Sequence, residues 1–232
     1  MENEILNKVA SSSSGNCYIY NKDIMVDCGV PFNKIKPYYK QIKLLLLTHA
    51  HGDHFNNATI KKLIELRPTL KICCPIWLTF SLVDLGVPKK NIIILELDEQ
   101  YDFGKYIIIP FYAKHDVENC GYKLLIKKTD YKIFHATDIN SLQGITAKNY
   151  DLYCLEANYD EEELKTRLME KEQSGEYAYE NRVFETHLSK EECNRFLIEN
   201  MGNNSECIYL HQHIDKSKEE KENEPTTKES IC

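Results

Sequence analysis

The 232-residue chain has no apolar run near the ~20 residues that a membrane-crossing helix needs. Its opening Met1-Glu2-Asn3-Glu4 lacks the basic flank and apolar stretch of an export signal. The expected setting is therefore the cytoplasm, with no membrane partner. Nine cysteines are present but no CxxC pair, so the usual zinc-knuckle and dithiol signatures are missing. An odd number of thiols without an export signal reads as reduced and largely buried, and Cys73-Cys74 sits in an apolar, strand-like run. A basic stripe is missing too. The net charge is −7, and the pairs Lys61-Lys62, Lys89-Lys90 and Lys127-Lys128 read as solvated faces or strand ends. Proteins that grip long nucleic acid draw much of their affinity from phosphate neutralisation, so this balance weighs against a long polymer substrate. No internal repeat is evident.

The remaining composition, 42 % hydrophobic, is that of an ordinary globular protein. Apolar segments at Ile5–Ala10 and Cys17–Tyr20 flank a polar turn, Ser11–Asn16. Strands are expected at Ile24–Asp27 and Leu44–Thr48, the second buried on both faces. Helical spacing marks Asn56–Leu66, and Ile76–Leu85 forms another helix stopped by Gly86 and Pro88. Strands follow at Asn91–Leu95, Tyr106–Tyr112, Gly121–Lys127, Tyr131–Thr137 and Leu152–Glu156. A charged helix, Asp160–Gln173, leads into a link, Ser174–Asn181. Ser189 and Glu192 form a capping box for a helix through Glu199. Cys207–Leu210 is the last strand, and residues 214–232, polar and charged, read as a disordered tail. Strands followed by mixed helices and strands predict a layered α/β fold.

Thr48-His49-Ala50-His51-Gly52-Asp53-His54 packs three histidines and an aspartate into six residues directly after an apolar strand. Imidazole and carboxylate are the ligands of zinc-like divalent ions, and strand ends present such groups from a rigid scaffold. His49 and His51 are two apart, so extended backbone points both to one side. Gly52 offers a place for the chain to turn back with Asp53 and His54. Further ligands must come from elsewhere, and His115, Asp138 and His211 each follow a predicted strand. A carboxylate between two metals can bridge them in a site suited to activating water.

This order of residues resembles the metallo-β-lactamase superfamily over residues 1 to about 213. The resemblance implies one hydrolase domain, 1–213, folded as an αββα sandwich with a dinuclear metal site at one edge of the sheets. By position, His49, His51 and His115 would hold one metal, Asp53, His54 and His211 the other, and Asp138 would bridge. The ions would be zinc in the first place, with manganese the alternative. Asp27 matches the family's buried aspartate, which supports the ligand loop. The segments SSSSGNCY, AKHDVENCGY at Ala113–Tyr122, LEANYD at Leu155–Asp160 and THLS at Thr186–Ser189 are similar to WalJ/YycJ-type proteins and, more distantly, RNase Z. Those relatives imply phosphodiester hydrolysis with His187 as proton donor, and Asp53 stands beside it as a catalytic candidate. The chain departs from the WalJ pattern at Tyr159, at Lys190 and at His211-Gln212-His213, where His213 competes with His211 for the last ligand position.

A nucleotide or nucleic-acid substrate follows from that resemblance: a nucleic-acid end, or a cyclic mononucleotide of the kind opened by compact phage anti-Pycsar enzymes. The acidic balance and the lack of a basic arm keep the small substrate in contention. A homodimer is suggested by the family alone. Thioester or lactone hydrolysis on the same scaffold is a second reading, and a non-catalytic metal-binding module a third.

Overall fold

A computed structural model describes residues 5–174 and 180–211. Among these residues twelve strands form two six-stranded sheets. The first contains β1 (Leu6–Ser12), β2 (Gly15–Tyr20), β3 (Ile24–Val26), β4 (Leu44–Leu46), β5 (Lys71–Cys74) and β6 (Ile92–Ile94), in that order. The second runs β12 (Glu206–Leu210), β11 (Leu152–Glu156), β10 (Tyr131–Ala136), β9 (Cys120–Ile126), β8 (Tyr106–Tyr112), β7 (Tyr101–Asp102). Within each sheet, antiparallel hairpins give way to parallel strands: β3 to β6 in the first, and β10, β11 and β12 in the second. The loops after β4, β10 and β12, which carry most of the candidate ligands, therefore leave from the C-termini of parallel strands, where open α/β sheets place their ligand sites, while His115 follows β8, which pairs antiparallel.

The helices are α1 (Phe32–Ile35), α2 (Asn57–Leu66), α3 (Thr79–Asp84), α4 (Glu161–Ser174), α5 (Glu180–Thr186) and α6 (Lys190–Asn200). Alternation along the strands divides the apolar side chains into three cores. Tyr18, Val26 and Leu46 of the first sheet meet Tyr122, Leu124 and Cys154 of the second between the sheets. The other face of the first sheet, with Met25, Leu45 and Ile72, packs on Ile60 and Leu63 of α2 and Leu82 of α3. The outer face of the second, with Phe134, Tyr153 and Leu155, receives Cys193, Phe196 and Leu197 of α6. The result is the αββα sandwich that the resemblance implies.

Local expectations are met with adjustments. The turn expected over Ser11–Asn16 is shorter, because β1 runs to Ser12 and β2 starts at Gly15. The Ile76–Leu85 helix begins as a 3₁₀ turn, Ile76–Leu78, after Pro75 and ends at Gly86 with φ +84°. Ser189 caps α6 by accepting from the Glu192 N–H at 3.1 Å. The Asp160 carboxylate caps α4 through the Glu162 and Glu163 amides. Eight of the cysteines lie in the described residues; all are free and all but Cys207 are buried. Among the described residues no helix is long and apolar enough to cross a membrane. The expected tail, His213 and residues 175–179 of the link lie outside the described residues.

Candidate metal centre

The site starts at the C-termini of β3 and β4. Parallel pairing of these strands puts Asp27 beside the segment that continues into Thr48. Asp27 is fully buried with φ +58°, and its carboxylate accepts from the Thr48 amide at 2.9 Å and the Thr48 hydroxyl at 3.0 Å. The hydroxyl has one proton. Given to Asp27, it leaves Thr48 Oγ1 to accept from His49 Nδ1, 2.9 Å away, and directs the His49 Nε2 lone pair outward. Asp27 Oδ2 also takes the Nδ1–H of His54 at 2.6 Å. One buried carboxylate thus orients both ends of the ligand loop without facing the cavity itself. The turn closes through His54 N–H and Phe55 N–H donating to the His51 carbonyl. Gly52 lacks a positive φ, and a Cβ placed on it would meet no atom within 4 Å, so the turn itself does not demand glycine.

Gly29 is the glycine this loop requires. Its N–H donates to the Asn16 carbonyl at 2.9 Å, and a Cβ there would overlap the Asp53 carbonyl and the His54 amide. Asn16, on β2, completes the cradle. Its Nδ2 lies 2.8 Å from His54 Nε2 and 3.1 Å from Asp53 Oδ2.

The second sheet supplies the rest. His115 follows β8 and gives its Nδ1–H to the Thr186 carbonyl at 2.9 Å. Asp138 follows β10, and His211 follows β12; both sit in the left-handed region, φ +53° and +48°. That conformation is costly for a non-glycine residue, and its repeated use at Asp27, Asp138 and His211 turns each strand end sharply into the site. The structure brings together two sets of ligand atoms, each within 4.8 Å of one another: His49, His51 and His115, and Asp53, His54, Asp138 and His211. His54 Nε2 lies 2.8 Å from Asp138 Oδ2, while His115 Nε2 approaches Asp138 Oδ1 to 3.9 Å, so Asp138 stands between the sets. His187, after α5, joins them with its Nδ1 at 3.6 Å from Asp138 Oδ1. Every described ligand and proton-donor candidate from the sequence reaches this one place.

Buried nitrogens without partners argue that the residues fit metal ions. Nε2 of His49, His115 and His211 has no hydrogen-bond partner although it is buried. In each ring the opposite nitrogen is held by a hydroxyl, carbonyl or carboxylate, the arrangement that presents a lone pair to a cation. Leaving such groups unpaired would otherwise cost about 1–3 kcal/mol apiece. Burial, reinforced by the neighbouring His54, pushes the His49 pKa well down, and burial lowers that of His115. Burial opposes charge on His54 and His211 too, but Asp138 together with Asp27 for His54, and Asp138 together with Glu156 for His211, outweigh it and raise both. Burial would raise Asp138; His54 and His211 more than offset it and hold the carboxylate well below its usual range.

Four participants escaped the sequence reading. Glu156, at the end of β11, is fully buried; its Oε1 lies 2.7 Å from His187 Nδ1 and 3.1 Å from His211 Nδ1, and its Oε2 accepts from the Ile139 amide. Glu156 also falls within 4.8 Å of Asp138, His187 and His211, a third cation-competent grouping. Asn16 is the second. The third, Asp116, places Oδ1 at 3.1 Å from His115 Nε2 and 3.4 Å from His51 Nε2. The fourth, Arg182 on α5, donates to Asp116 Oδ2 at 2.7 Å. Asn16, Asp116 and Glu156 lie inside the segments SSSSGNCY, AKHDVENCGY and LEANYD that carry the resemblance, but nothing in the sequence assigned them a role. Of these four participants, Arg182 lines an open cavity of about 490 Å³ whose walls also include His51, Asp53, His115, Asp138, His187 and His211.

A fold of two sheets with helices outside, and a His/Asp cluster at the strand C-termini, is the architecture of metal-dependent hydrolases of one superfamily. The family model described as the β-lactamase superfamily domain matches residues 23–197, and the chain belongs to that family. Comparison with curated proteins finds no match. Among solved structures, the metallo-β-lactamase fold protein YhfI from Bacillus subtilis superposes with a TM-score of 0.67 at 16% identity, covering 94% of this chain and 89% of that one. The short form of human tRNase Z gives 0.64 at 14% identity over 89% and 92% of the two chains. A diphosphatase of the PhnP family gives 0.59 at 14% identity over 90% and 77%. These likenesses establish the shared metallo-β-lactamase fold.

Proposed function

We propose that the protein is a two-metal phosphodiesterase acting on a nucleotide phosphodiester, either a cyclic mononucleotide or a nucleic-acid end. The observation that carries this reading is His187, a histidine on the cavity wall beside both ligand sets and held by a buried carboxylate. His49, His51 and His115 would hold one ion, Asp53, His54 and His211 the other, with Asp138 between them. When bound, two zinc or manganese ions supply Lewis acidity and a water of lowered pKa.

The chain's own residues then account for the rest. Glu156 fixes His187 by its Nδ1, so the ring's other nitrogen is the one available to a substrate. A departing alkoxide needs a proton, and an imidazolium beside the metal ligands delivers it in the same cavity. Acyl transfer at carbon on this scaffold has less need of such a donor, which favours phosphorus over a lactone or thioester. The structural neighbours titled tRNase Z and diphosphatase are in keeping with attack at phosphorus.

Replacing His187 by Ala should lower kcat on a diester with an alkoxide leaving group, such as TpT, by about 10²–10⁴ while leaving metal stoichiometry unchanged, and should affect bis-p-nitrophenyl phosphate far less because p-nitrophenolate departs without a proton. Full activity in a metal-replete variant would remove His187 from the mechanism. Incubating the protein with cyclic CMP, UMP and AMP and with labelled DNA and RNA separates the two substrate classes. Hydrolysis of a lactone or glutathione thioester, with no diester cleaved, would replace this reading.

A further inference from the structure

The cavity wall that faces a substrate is short of positive charge. Among the residues that line it, Arg182 is the one cation of fixed charge; the others are imidazoles, Asp53, Asp138 and small or neutral side chains. Its side chain is 71% exposed, so the guanidinium meets solvent although it is anchored. One Nη2–H is given to Asp116 Oδ2 at 2.7 Å. The other oxygen of that carboxylate faces His115 Nε2 at 3.1 Å and His51 Nε2 at 3.4 Å. Arg182 therefore stands one carboxylate's width outside the His49–His51–His115 set. A planar guanidinium has five N–H donors, and a single carboxylate oxygen leaves most of them for an anion at the mouth.

We propose that Arg182 is a specificity-determining residue that binds a second phosphate, adjacent to the one attacked. The proposal rests on the phosphodiester reading above and deepens it. The attacked phosphorus must reach the ligand sets, inside Asp116; a phosphate on Arg182 lies outside it. A substrate that satisfies both positions carries two phosphates in succession, as a 5′-phosphorylated nucleic-acid end does and a cyclic mononucleotide does not. Arg182 and His187 are five residues apart across the end of α5, and the Thr186 carbonyl between them holds His115. The helix that leads into the proton donor thus also offers the anion clamp. Asp116 plays the aiming part.

The test uses the thymidine dinucleotide with and without a 5′-phosphate, pTpT and TpT, titrated calorimetrically into the full chain. A His187→Ala background, zinc-loaded, keeps the ligands from turning over. The expected result is about tenfold tighter binding of pTpT, lost in Arg182→Gln and partly kept in Arg182→Lys. The dependence of log Kd on log salt for pTpT should also flatten by about 0.7 in Arg182→Gln, which a purely structural contact would not produce. Equal affinity for the two dinucleotides, or a preference that survives Arg182→Gln, overturns the proposal. Turnover by the unmodified protein is read separately. Arg182-dependent binding without cleavage of any diester would sink the phosphodiesterase reading and spare Arg182, whereas cleavage of TpT and pTpT at equal efficiency would do the reverse.

Discussion

Glu156 shows how much one buried carboxylate can organise. Burial alone would raise its pKa, but His187, through charge and a hydrogen bond, and His211 bring it below the ordinary value. It is thereby a fixed anion that orients one candidate ligand and the candidate proton donor together. Glu156→Gln keeps the shape and removes the charge. Carboxylates that steady metal-bound imidazoles are typically worth 10–100-fold, and a loss of about that size in kcat/KM is expected. Metal analysis separates the two roles its position allows: unchanged stoichiometry marks an orienting group, and loss of one ion per chain marks a ligand. The sequence made His49 to His54 conspicuous because four donors crowd one loop. His115, Asp138 and His211 became legible only by their order after that loop. Glu156, Asn16 and Asp116 carry no such pattern, since a lone acid or amide at a strand end is usually structural, and only the fold reveals what each one faces.

At the level of elements, the site depends on how tightly the loop after β4 lies against the β3–α1 connection. Gly29→Ala would press a methyl group into the Asp53 carbonyl and His54 amide. Overpacking of this kind costs about 1–3 kcal/mol, or roughly 2–4 °C of melting temperature per kcal/mol in a chain of this size. Metal affinity should fall with it, because both candidate ligands, Asp53 and His54, move. Gly52→Ala, in the same loop, meets no atom within 4 Å and should be near neutral. Thermal unfolding and metal titration of the two variants decide the matter, and equal damage from both would refute the backbone-contact argument. Most strands and the α2 helix were legible because burial imposes a period of two or of 3.6 on their side chains, whereas the two-residue β7 and the four-residue α1 were too short to show one. α5 was not legible either. Its buried residues are Glu180 and Thr186 rather than an apolar stripe, and it is held by tertiary contacts: Lys171 to Glu180, Arg182 to Asp116, and the Thr186 carbonyl to His115. Local propensity could not announce a helix whose partners lie elsewhere in the chain.

The whole molecule couples its two sheets through polar as well as apolar contacts, and this gives stability a pH dependence separate from catalysis. His135 of β10 is fully buried, with Nδ1 2.7 Å from the Tyr20 hydroxyl of β2 and its ring 5.0 Å from that of Tyr18. Burial first, and the nearby His54 second, depress its pKa to about 3. The folded protein therefore keeps this ring neutral, while in the unfolded chain it takes a proton below the ordinary histidine value of about 6.5. Above that value neither state gains a proton, and His135 adds no pH dependence. As pH falls from about 6.5 toward 3, the unfolded state binds one proton that the folded state refuses, and stability declines by about 1.4 kcal/mol per pH unit from this group alone. His135→Gln removes the titration and retains a side chain able to meet Tyr20. The variant should start less stable at neutral pH, since it sits in a packed sheet interface, yet lose stability less steeply on acidification. Urea unfolding at half-unit intervals between pH 7 and pH 4 measures both slopes, and parallel curves would show that the interface tolerates a charged His135 after all.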